Sequence, residues 1–107
     1  CLTMFTSNHF FSCGEIDSQE DANHAESVIL TELRLLLQDI KNSDNKTVIF
    51  VTNEIGLGIV PENKLTRFFR DIMGRVNREV AIAADKMYFT VSGITIELKS
   101  QEVHING

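Results

Sequence analysis

The stretch TVIFVT, Thr47 to Thr52, constrains this chain more than any other. Its residues are β-branched or aromatic, which favours a strand. They are also apolar at successive positions, so both faces of that strand need cover, as in a parallel sheet lined by helices. The run ends abruptly in Asn53 and Glu54. A loop follows in which Gly56 and Gly58 permit backbone conformations closed to other residues. Pro61 then suits the first turn of a helix, and Glu62 complements the helix dipole. Strand, polar end, loop and helix form the βα unit of an α/β domain, and such sheets bind ligands outside the carboxyl ends of their strands. There Thr52, Asn53 and Glu54 can orient a phosphate, a metal-bound water or a ribose. Equally, Asn53 and Glu54 can simply cap the loop and the helix start.

The helix after Pro61 is expected to run to about Ala84. Leu65, Phe69, Ile72, Val76, Val80 and Ala83 make its apolar stripe, and Arg67, Arg70, Asp71 and Arg78 lie away from it. Gly74 and Phe68 fall off the stripe and hint at a second contact surface, such as another subunit. An earlier helix begins at Ser18, an N-cap with an acid, Asp21, three residues later. Ala22, Ala25, Ile29, Leu33, Leu36 and Ile40 form its stripe, Glu20, Asn23 and Gln38 its outer side, and the polar Lys41–Asn45 cluster its end. The stripe is expected to lie on a sheet.

Residues 1–13 mix Leu2, Met4, Phe5, Phe10 and Phe11 with polar residues, and read as a strand end running into a short helix. At the other end, Met87–Val91 and Ile94–Leu98 flank a Ser92-Gly93 turn, an antiparallel hairpin with one exposed face. Three strands and two long helices cannot cover both faces of a parallel sheet. With Cys1 in place of an initiator methionine, the 107 residues read as the second part of one domain.

A net charge of -5 argues against nucleic-acid binding, which draws on a surplus of Lys and Arg. No apolar run is long enough to span a membrane. Cys1 and Cys13 form neither a disulfide framework nor a CxxC site, and read as reduced thiols of a cytoplasmic protein. His9, His24 and His104 are scattered without ligand spacing, so no metal site is expected from them. The phosphate-loop pattern GxxxxGKS/T is not present in these residues, and Gly56-Leu57-Gly58 is only a GxG.

VTNEIGLGIVPE at Val51 to Glu62 and RFFRDIMGRVN at Arg67 to Asn77 carry a specific resemblance, completed by AAD at Ala83 to Asp85 and VSG at Val91 to Gly93. They are similar to the C-terminal portion of the bifunctional adenosylcobinamide kinase / adenosylcobinamide-phosphate guanylyltransferase family of cobalamin biosynthesis. CLTMFTSN at Cys1 to Asn8 also resembles a segment of that family, whereas residues 14–46 match loosely.

The resemblance implies an α/β fold: the C-terminal part of a P-loop, RecA-like sheet, mostly parallel, with flanking helices and a C-terminal hairpin. It implies a trimer using GTP, ATP and Mg²⁺, acting on adenosylcobinamide and its phosphate. The family's phosphate loop, guanylylated histidine and sheet-edge acid fall before Cys1, so no catalytic residue is carried over. What is carried over is the second wall of a nucleotide site: Thr3 and Asn8, Thr52, Asn53 and Glu54, Gly56 and Gly58, and Arg67 and Arg70. On this reading the chain alone is inactive. The alternative is a non-catalytic α/β module that keeps the scaffold and binds a partner.

Overall fold

The structure, a computed structural model, describes residues 1–54 and 63–105. Its elements are α1 (Leu2–Ser12), α2 (Gln19–Lys41), α3 (Lys64–Ala83), β1 (Tyr88–Val91) and β2 (Ile94–Glu97), then a short 3₁₀ turn at Lys99–Gln101.

The N-terminal residues form a helix throughout, with no strand end before it. Leu2, Thr6 and Phe10 recur every four residues and line its buried side. Gly14, with φ 86°, takes the left-handed conformation that follows many helix ends. The capping box at the start of α2 is present: the Ser18 hydroxyl accepts from the Asp21 amide, and the Asp21 carboxylate accepts from the Ser18 amide. Ala22, Ala25, Ile29 and Leu33 are buried as the spacing requires, and Lys41 ends the helix. Their partners are the two other helices, not a sheet. Leu36 is exposed because the stripe outruns the helices that cover it.

In α3 the stripe turns from its expected course. The buried row is Phe68, Ile72, Val76 and Val80, each four residues from the last, widened by Met73 and Asn77. Phe68, expected off the stripe, is therefore core, while Leu65 and Ala83 are exposed. Phe69 lies at the edge, its ring 5.5 Å from that of Phe10. Gly74 faces open space within this chain. Asn63 caps α3, its side chain accepting from the Thr66 amide, so the helix starts after Pro61 and Glu62, which lie outside the described residues. Arg34 with Glu79 and Arg75 with Glu26 bridge α2 to α3 across the exposed rim. Such exposed pairs are screened by solvent and contribute little.

Thr47 to Thr52 is extended but has no ladder among the described residues, whose sheet consists of β1 and β2 alone. A strand needs neighbours for its amides and carbonyls. Here a single bond, Leu2 N–H to the Val51 carbonyl at 2.8 Å, ties the segment to α1. Ile49 and Val51 are 82% and 63% exposed, although their composition suits a covered strand.

The hairpin forms in the expected register, with Ser92 and Gly93 both at positive φ in the turn, as a right-twisted hairpin favours. Its Phe89, Val91, Ile94 and Ile96 share one face, since directly paired residues lie on the same side. Contrary to the expected one-sided burial, that apolar face is open too, with Ile94 71% exposed. At the hairpin base the Glu97 carboxylate accepts from the amides of Met87, Lys99 and Ser100 at 3.0, 3.2 and 2.7 Å. The Met87 amide first, then that of Ser100, hold its carboxyl at about 2, from an ordinary 4.5. A depressed folded value means the stabilisation is complete above about 4.5 and disappears as pH falls from there through about 2. An NMR titration of Glu97 should show that low midpoint, and Glu97→Gln should loosen the hairpin base at neutral pH. A midpoint near the free glutamate value would contradict the clamp.

Candidate nucleotide-site wall

Three elements converge at the carboxyl end of the extended segment. Leu2, in the first turn of α1, holds Val51. Asn77, on the inner side of α3, holds the next two residues. The Thr52 hydroxyl donates to Asn77 Oδ1 at 2.6 Å, and Asn77 Nδ2 donates to the Asn53 carbonyl at 3.1 Å. Asn77 is only 7% exposed, so its amide needs these bonds, because a buried amide without partners costs several kcal/mol. Thr52, Asn53 and Glu54 are all exposed, and of the three only Thr52 has a described side-chain hydrogen bond. Main chain pinned from two sides with side chains facing solvent suits a binding wall.

The other expected residues divide. Thr3 follows directly on the Leu2 anchor; its hydroxyl oxygen is buried without a partner and borders a groove of about 290 Å³ between α1 and α3. Asn8 is exposed, five residues on and roughly 7.5 Å further along α1. Arg70 lies against its neighbour Asp71, with Nε and Nη2 at 3.2 and 3.0 Å from one carboxylate oxygen. Arg67 is half-buried in the first turn of α3. Gly56 and Gly58 lie outside the described residues.

Asn77 was not among the expected site residues. The signal was available: a carboxamide four residues after Met73 and three before Val80, on the apolar arc of an amphipathic helix. The large majority of buried side-chain polar atoms have a hydrogen-bond partner. Among the described residues no group of three His, Cys, Asp or Glu side chains could hold a metal, and no helix is long and apolar enough to cross a membrane.

Helices, an antiparallel hairpin and a polar-ended segment define an α/β chain. The family described as cobinamide kinase / cobinamide phosphate guanyltransferase matches residues 1–98, and the chain belongs to it. It is 43% identical over 101 residues to the bifunctional adenosylcobalamin biosynthesis protein CobU of Salmonella typhimurium, and 42% identical to that of Escherichia coli. Each match covers 92% of this chain and 55% of the relative, so the chain spans about half the length of the proteins it resembles. The bifunctional adenosylcobalamin biosynthesis protein CobP of Pseudomonas aeruginosa is 37% identical over 54 residues, which is 50% of this chain and 31% of that protein.

Proposed function

We propose that the complete protein phosphorylates adenosylcobinamide with ATP or GTP, then transfers GMP from GTP to the phosphate, giving adenosylcobinamide-GDP. The family match supports both steps, since kinase and guanyltransferase stand together in the family's description. The observation that carries the assignment of residues is the pinned Val51–Asn53 backbone, beside which the Asn53 and Glu54 side chains are exposed.

Phosphoryl and nucleotidyl transfer depend on positioning and on neutralising oxygen charge. The Asn53 carboxamide supplies a donor for a phosphate oxygen. Glu54 fits Mg²⁺, which is held by one or two carboxylates together with substrate phosphates. When bound, the ion would supply charge neutralisation at the phosphates. Thr3, Asn8, Gly56, Gly58 and Arg67 complete the wall. Arg70 would reach a phosphate or a neighbouring subunit only by leaving Asp71.

In the complete protein Thr47–Thr52 becomes a covered strand of a mostly parallel P-loop sheet. This accounts for an apolar segment that has no strand neighbour among the described residues and leaves Val48, Ile49 and Val51 exposed, with Phe50 alone packed on the core. The assembly is a trimer and its setting the cytoplasm. The 107-residue chain by itself is inactive, because its sequence holds neither a phosphate loop nor the nucleophilic histidine's motif. Incubation with Mg²⁺ and GTP labelled at the α-phosphate tests this. The isolated chain should take up no covalent label, and the product of the complete reading frame should take it up. Labelling of the isolated chain would overturn its inactivity; an unlabelled complete product would overturn the guanylyl-transfer reading.

A further inference from the structure

We infer that Asn77 is a positioning residue for the nucleotide and that Thr52 works with it, instead of touching the nucleotide itself. This rests on the reading of Thr52–Glu54 as a nucleotide-site wall.

A threonine hydroxyl has one proton to donate. In Thr52 that proton goes to Asn77 Oδ1, 2.6 Å away. The hydroxyl then offers only lone pairs, which an anionic phosphate oxygen repels. Asn77 Nδ2 lies 3.1 Å from the Asn53 carbonyl, which can only accept. Turning the amide over would bring two acceptors together, so the Asn53 carbonyl fixes its orientation. Both ends of the carboxamide are thus engaged, one on the Thr52 side chain and one on the Asn53 main chain.

Packing alone does not call for asparagine at this position. It shares the buried arc of α3 with Met73, Val76 and Val80, where an apolar residue would bury more favourably and favour the helix. What asparagine adds is a grip on the backbone one residue before Glu54. With the Leu2–Val51 bond it sets where Asn53 and Glu54 stand. A displacement of about 1 Å at a reacting centre can cost on the order of a hundredfold in rate.

The test uses the protein from the complete reading frame, with guanylyl transfer and nucleotide KM measured against pH. Asn77→Asp keeps the acceptor for Thr52 but sets a carboxylate against the Asn53 carbonyl. Buried there, it should have a raised pKa and regain the missing donor once protonated. Expected is a kcat/KM loss of roughly tenfold to a hundredfold near pH 8, most of it recovered towards about pH 6. Thr52→Val should lose about tenfold at every pH, and Thr52→Ser, which keeps the hydroxyl, should stay within about twofold of the parent. A merely structural role would lower the melting temperature and the active fraction without changing KM or the shape of the pH profile. The inference falls if Asn77→Asp follows the parent's profile, or if Thr52→Ser is as impaired as Thr52→Val. Should Asn77→Asp fail to fold, the Thr52 pair alone decides. A parent that shows no nucleotide transfer overturns the wall reading itself, whereas an active parent with unaffected variants overturns only the role of Asn77.

Discussion

Phe10→Ala should remove about 3–5 kcal/mol of folding stability, the usual cost of truncating a fully buried phenylalanine. Phe10 is 0% exposed, in the cluster where all three helices meet, and its ring stands edge-on to those of Phe11 and Phe69 at 5.2 and 5.5 Å. A domain of this size has only about 5–15 kcal/mol in total, so the loss is a large fraction of it. Phe11→Ala is the control. Phe11 is adjacent in sequence but 63% exposed, and its truncation should cost no more than about 1 kcal/mol, chiefly the ring–ring contact. Urea denaturation of both variants reads the difference. Equal costs would mean that α1 does not pack as described.

The second large effect is on chemistry. Glu54→Gln in the complete protein should lower guanylyl transfer roughly 10²–10³-fold, as removing one preorganised charge-stabilising group does elsewhere. That corresponds to about 2.7–4 kcal/mol of barrier. The Glu54 side chain is exposed and no described contact depends on it, so the midpoint of denaturation should move by less than about 0.5 kcal/mol. Glu32→Gln, on the exposed side of α2, should change neither quantity. Activity within threefold of the parent would remove Glu54 from the wall.

Local signals were legible wherever neighbours in sequence are also neighbours in space. The Ser18–Asp21 capping box, the Ala22–Leu33 stripe and the Ser92-Gly93 hairpin each follow from interactions spanning a few residues. Legibility failed where the partner is distant. Phe68 was misplaced because a stripe drawn through Leu65 and Phe69 fits the periodicity of α3 almost as well as the row through Phe68. Which row is buried depends on where α1 and α2 pack against α3, and that leaves Leu65 exposed. Residues 1–13 were ambiguous for the same reason. Their helix is amphipathic only in its spacing of Leu2, Thr6 and Phe10, and a threonine in that row weakens the signal.

The polar end of the TVIFVT segment was legible as a candidate site, because an apolar run that stops at Thr-Asn-Glu is a local event. The family's motifs in the same stretch were legible too. Short-range signals were enough for α2 with its capping box, for the hairpin and for the family. Only the packing of α3 settled that the Thr52 hydroxyl is engaged by Asn77, while the exposed Asn53 and Glu54 side chains have no described partner. The reason is physical: which of three adjacent polar side chains is taken up by the fold depends on a hydrogen-bond partner 24 or 25 residues away, and no local periodicity encodes that pairing.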